Sequence, residues 1–282
     1  MLSLFADFSP IEDDGWAVID RLKPTSIVLG LNDSTDVSGK LRWKGLFPQS
    51  GEDRVVQVLH QAHARGIEVE ALVWMRPDKA YIDAVLEMLV GLISHGAAFS
   101  SVILDLESAW LLHGNQAQPY ESITDYMMSR MRLLGLPIGV TGYGVLRPAV
   151  SRAASLADFT IPQAYSVWGK SASSRRQESS PGVLQPLSAH SWSQHSREMR
   201  LSLPLFGLSR PSTVYSKKMN DDQSFTTQAH ALPAGNHTYL WSLKHLTKLP
   251  PNRQARFCDL ITRLLCPSET TSPTSTKPLA SS

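Results

Sequence analysis

The stretch SSVILDLESAW, residues 100–110, decides how the chain is read. Its first half is rich in Val, Ile and Leu, the composition of a buried strand. It then ends in two carboxylates, Asp105 and Glu107. Side chains alternate across a strand, so Val102, Leu104 and Leu106 share one face. Ile103, Asp105 and Glu107 share the other. One face is apolar throughout, and the other turns acidic at its carboxyl end.

Seven similar runs surround this one, at residues 2–8, 25–32, 67–75, 136–144, 158–166, 201–209 and 237–243. Helical periodicity fills several of the gaps. Val55, Val58, Leu59 and Ala62 recur every three or four residues. So do Ile82, Val85, Leu86, Leu89 and Ile93, and Tyr120, Ile123, Met127, Met131 and Leu134. Gly66 and Gly135 follow two of these stripes, where a left-handed helix cap favours glycine. Strands alternating with helices imply a parallel sheet. Eight such units in about 250 residues predict a (β/α)8 TIM barrel. An open doubly wound sheet is the alternative. It commonly places a glycine-rich phosphate loop after its first strand, whereas this chain has the acidic DFSPIEDDG there. The expected organisation is one barrel domain over residues 1–266 and a tail over 267–282. The tail is rich in Pro, Ser and Thr and cannot bury a core. The polar stretch 169–182, after the sixth strand, is long for a barrel loop.

In a barrel, the inward residues at the carboxyl ends of the strands form the active-site mouth. Asp105 and Glu107 are expected there. Two close carboxylates in a partly dry cavity resist ionising together, so one of them holds its proton to higher pH. That property suits a general acid working near neutrality. Asp7, at the end of the first strand, is a candidate third carboxylate. Trp74 and Arg76 share one parity on the third strand, Gln163 and Tyr165 on the sixth, and Tyr239 and Trp241 on the eighth. Tyr143 ends the fifth. Carboxylates, an amide, phenols and indoles around one mouth suit carbohydrate, with rings stacking on sugar faces and polar groups binding hydroxyls.

Composition narrows the field. The 282 residues carry a net charge of +2, so no strong field favours nucleic acid or an anionic membrane. Cys258 and Cys266 match neither a zinc motif nor a disulfide framework. His60 and His63 lack carboxylate partners, and no metal or other cofactor is expected. The start lacks a basic segment before its apolar residues, so a cleaved signal peptide is not expected. No apolar run approaches the roughly 20 residues of a membrane helix. Synthesis in the cytoplasm is expected, with delivery to the periplasm or cell wall by some other route.

With these motifs in place, the sequence resembles the (β/α)8 glycoside hydrolases, in particular family 18 chitinase-like and family 25 lysozyme-like barrels. In family 18 a D-x-E ends the fourth strand, a tyrosine lies on the sixth and a tryptophan on the eighth. Here Asp105-Leu106-Glu107, Tyr165 in PQAYS and Trp241 in YLWSL occupy those places. Ile103 and Ser166 stand where the family carries further aspartates. FADFS, with Asp7, and LDLES are similar to segments of family 25. The resemblance implies cleavage of a glycan containing N-acetylhexosamine, with peptidoglycan as the favoured substrate. Glu107 would be the general acid. Asp105 would orient the acetamido group or stabilise developing positive charge, and Tyr165 would hydrogen-bond the acetamido group. Asp7 would be the second carboxylate of a route through water. Two further readings stay open. One is a barrel that binds glycan without cutting it. The other is a structural component of a phage tail or an injection or secretion apparatus.

Overall fold

The computed structural model describes residues 1–6, 11–32, 51–107, 110, 117–143, 146, 148–163, 192–205, 225–226, 229–230 and 237–266. Eight strands lie within these: β1 (Leu2–Phe5), β2 (Ser26–Gly30), β3 (Glu68–Trp74), β4 (Ser101–Asp105), β5 (Ile138–Tyr143), β6 (Phe159–Gln163), β7 (Leu201–Pro204) and β8 (Thr238–Trp241). The described helices are α1 (Asp13–Leu22), α2 (Gly51–His63), α3 (Lys79–Ser94), α4 (Ala117–Arg132), α5 (Pro148–Leu156), α6 (Leu243–Thr247) and α7 (Pro251–Leu265).

Every strand pairing is parallel. The order is β6-β5-β4-β3-β2-β1-β8-β7, so β1 has β2 on one side and β8 on the other. An isolated bridge between Thr160 and Met199 draws the two ends together. Ser202 Oγ donates to the Pro162 carbonyl across the same seam at 3.0 Å. The result is a nearly closed (β/α)8 TIM barrel, not an open sheet.

The strands are short and apolar because both of their faces are covered. Outward residues such as Leu4, Ile27, Val69, Val102, Leu104 and Val140 pack with the helices in one large cluster. Inward residues form a second, smaller cluster of Phe5, Val28, Leu72, Ile103, Phe159, Ile161 and Tyr239, with Trp241 packed against it. This plug fills the middle of the barrel. Burying each large side chain contributes about 1.5–3 kcal/mol before ordering costs.

The helices obey their local signals. Asp13 and Asp14 open α1, where carboxylates favour the positive end of the helix dipole. The Asp78 side chain caps α3 by accepting from the Tyr81 amide at 2.8 Å. Gly66 and Gly135 have φ of 70° and 69°, as a left-handed cap requires. The stripe on α3 is shorter than the periodicity suggests. Ile82, Val85, Leu86 and Leu89 are buried, but Ile93 is 37% exposed because the helix is ending there. No described helix is long and apolar enough to cross a membrane.

Candidate active site

The site begins with the backbone of β4. Asp105 lies opposite Trp74 on β3 and Thr141 on β5. The ladder continues one residue further, because the Leu106 amide donates to the Thr141 carbonyl at 2.9 Å. Glu107 follows at once, on the inward parity of Ile103 and Asp105. The Trp110 amide donates to the Glu107 carbonyl at 2.9 Å. Trp110 is fully buried, and its indole N–H donates to the Met75 carbonyl at 2.9 Å. Trp110 thereby links the Glu107 carbonyl to the end of the neighbouring strand. On β5, a Cβ added at Gly142 would stand 2.7 Å from the Leu106 carbonyl oxygen. Only glycine lets β5 run so close to the D-x-E.

Asp105 is 4% exposed, and its Oδ1 has no hydrogen-bond partner. Burial pushes its carboxyl well above the usual aspartate range, and the nearby Glu107 pushes it further. Asp105 therefore holds a proton at pH values where an exposed aspartate is ionised. Glu107 is half-buried. The structure thus brings both carboxylates to the carboxyl end of the barrel, Asp105 one step above Ile103 in the apolar plug and Glu107 just past the strand.

Trp74 lies beside Asp105 and is 6% exposed. Its ring meets Tyr81 edge-on, with centroids 6.0 Å apart, and its Nε1 has no partner. Asn32, fully buried, grips the Trp74 backbone. Its Oδ1 accepts from the Trp74 amide at 2.6 Å, and its Nδ2 donates to the Trp74 carbonyl at 2.9 Å. The Arg76 guanidinium lies 5.9 Å from the centre of the Tyr81 ring. Gln163, at the end of β6, is 7% exposed, and its Nε2 also lacks a partner. Trp241 is partly exposed and packs on Phe5 at 4.1 Å between centroids. Tyr143 ends β5 opposite Gln163, with its side chain outside the described residues. Asp7 and Tyr165 lie outside the described residues, as do the 169–182 stretch and the 267–282 tail.

Tyr239 is a correction. The sequence reading put it at the mouth with Trp241. It pairs with Ser3 and Ser202, two positions lower, and is fully buried. Its hydroxyl donates to Glu70 Oε2 at 2.9 Å. Glu70, 3% exposed, also accepts from Ser3, Ser26 and Ser101 at 3.2, 2.5 and 2.8 Å. Arg200 donates to the Tyr239 hydroxyl at 3.1 Å and covers the Phe159 ring at 3.7 Å. Tyr239 thus belongs to the barrel floor. Counting back by twos from Trp74 would have reached Glu70, and the same parity leads to the serines at the starts of β1, β2 and β4. Asn32 and Trp110 were also missed. Both act through backbone groups, which leave no pattern in the sequence.

Among the described residues, no group of three His, Cys, Asp or Glu is gathered as metal ligands.

No protein-family model matches the chain, and no curated protein matches it in sequence. Solved structures do. The C-terminal domain of a candidate chitinase from Desulfitobacterium hafniense DCB-2 superposes with a TM-score of 0.62 at 11% identity, covering 93% of this chain and 99% of that one. The spore cortex-lytic enzyme SleL of Bacillus megaterium QM B1551 gives 0.58 at 10% identity, covering 92% and 73%. The xylanase and alpha-amylase inhibitor protein XAIP-II of Scadoxus multiflorus gives 0.57 at 11%, covering 93% and 97%. The chain therefore shares its (β/α)8 barrel fold with proteins named as a candidate chitinase, a cortex-lytic enzyme and an inhibitor. At these identities the likeness concerns the fold alone, and function has to be argued from the site.

Proposed function

We propose that this chain is a glycoside hydrolase acting on a glycan that contains N-acetylhexosamine, with peptidoglycan as the favoured substrate. The observation that carries this reading is the D-x-E at the mouth, with Asp105 buried, short of a partner and kept protonated beside Glu107. Glu107 is the proton donor to the leaving oxygen. Asp105 orients the acetamido group, whose own oxygen attacks the anomeric carbon, so no enzyme nucleophile is required. Trp241, carried on Phe5, offers a partly exposed ring to the sugar face. Tyr165 and Asp7 complete the proposal from the sequence resemblance. The cortex-lytic activity in SleL's name supports a cell-wall glycan, and the candidate chitinase of Desulfitobacterium hafniense supports an N-acetylhexosamine polymer more generally.

The test is the Glu107→Gln variant. Clearing of purified cell walls should fall by about 10²–10⁴-fold, with the thermal unfolding midpoint unchanged. Full clearing by a folded variant would end the proposal.

One observation favours a second reading, a barrel that holds glycan without cutting it. Ile103, fully buried in the plug, stands where family 18 has a further aspartate, so Asp105 has an apolar residue beneath it. Sedimentation with cell walls in the absence of clearing, by the unaltered chain, would establish that reading instead.

A further inference from the structure

Three buried side chains at the mouth have a polar atom without a partner: Trp74 Nε1, Gln163 Nε2 and Asp105 Oδ1. They lie on β3, β6 and β4, and each is the next inward residue above a member of the apolar plug. Trp74 stands above Leu72, Asp105 above Ile103 and Gln163 above Ile161. All three are 7% exposed or less. By strand parity all three face inward at the carboxyl ends of their strands, one step above the plug. Leaving a buried polar atom unpaired costs about 1–3 kcal/mol, and native structures keep such atoms few. Three at one end of the barrel describe a place where a polar group of another molecule belongs.

The kinds of atom define that group. Two are N–H donors and one is a carboxyl oxygen. A hydroxyl has two lone pairs and one proton, so it satisfies all three at once. A carbonyl oxygen has two lone pairs, which the two N–H groups fill, so Asp105 Oδ1 would stay unpaired whether it donates or accepts. An ammonium group would leave both donors unpaired.

We propose that Trp74 is a specificity-determining residue which, with Gln163 and Asp105, receives one ring hydroxyl of the bound glycan. This rests on reading the mouth as a glycan site. It goes beyond that reading by giving Trp74 a polar role through its indole N–H. The backbone of Trp74 is fixed on both sides by Asn32, and its ring is held edge-on by Tyr81, so the N–H is pre-oriented. A site built to bond a hydroxyl rejects an analogue that lacks it far more strongly than an apolar pocket rejects a changed shape.

The test uses the full chain carrying Glu107→Gln, so that ligand binds without turnover. Calorimetry is run with the β-1,4-linked pentamer of N-acetylglucosamine and with its 3-deoxy and 6-deoxy forms. Adding Trp74→Phe, which keeps the ring and removes the N–H, should weaken pentamer binding roughly tenfold. One of the two deoxy forms should bind as weakly before that change as after it. Where Trp74→Phe fails to fold, Gln163→Met carries the same comparison. Unchanged pentamer affinity would overturn the inference and assign the three atoms to solvent, while leaving the glycan reading standing. Equal losses for the pentamer and both deoxy forms would also overturn it. A folded Glu107→Gln chain that binds neither the pentamer nor solubilised peptidoglycan would overturn the inference and the glycan reading together.

Discussion

The two ends of the barrel interior treat their buried carboxyl groups differently, although His237 Nδ1 at the floor is unpaired too. At the floor, Glu70 gathers three serines, Tyr239 and, through Tyr239, Arg200, so both carboxylate oxygens are bonded. At the mouth, Asp105, Trp74 and Gln163 are as deeply buried but each has an unpaired atom. The apolar plug lies between them, with the Tyr239 ring inside it and the Tyr239 hydroxyl reaching Glu70. Satisfied polar groups in a low-dielectric interior lock a structure in place. Unsatisfied ones on rigid strands carry a stability cost that a ligand relieves. By this contrast the floor maintains the fold, and the mouth is the end at which the proposed glycan would be received.

The sharpest way to break the comparison is to alter each end and ask which property moves. Glu107→Gln should move activity alone, by about 10²–10⁴-fold. Glu70→Ala should do the reverse. It removes the shared acceptor of four hydroxyls, of which Ser3, Ser26 and Tyr239 keep other partners, so denaturant unfolding should show a loss of about 1–3 kcal/mol, with near-normal clearing per folded molecule. An equal loss of activity per folded molecule would mean that the floor is catalytic. Gly142→Ala should affect both properties. Its methyl group would press on the Leu106 carbonyl between the two acids, costing about 1–3 kcal/mol and displacing Glu107.

Acid and base separate the two ends more finely. His237 stacks on Tyr239 and bonds Ser3 at the floor, and burial lowers its imidazole to about 4. Its contribution is present above the ordinary histidine value, about 6.5, and is lost as pH falls toward 4. A pH series of unfolding midpoints should therefore decline over that window, and His237→Gln should flatten the decline. Asp105 has the opposite sign. Its raised carboxyl favours the folded state while protonated, and that contribution fades as pH rises from about 4 through the raised value. Asp105→Asn should be the more stable protein at alkaline pH, by about 1 kcal/mol, and should lose clearing at every pH.

Much of the architecture was legible because strand parity is a strict code. All eight strands were found, and the inward set on β4 follows from Ile103, Asp105 and Glu107 by counting in twos. Height along the barrel axis is less legible. Tyr239 and Trp241 share a parity, yet one lies in the floor and the other at the rim, because the stagger between strands is a property of the whole barrel. Glu70 escaped notice for a related reason. Its partners come from β1, β2, β4 and β8, and no local window contains more than one of them.

The indole of Trp110, hung from the Met75 carbonyl, has a bearing on design. It makes the placement of the acid a joint product of two strands and one large side chain. Transplanting the D-x-E alone onto another barrel would move the letters and leave the anchor behind. A working graft would need the tryptophan three residues after the glutamate and a free carbonyl at the tip of the preceding strand.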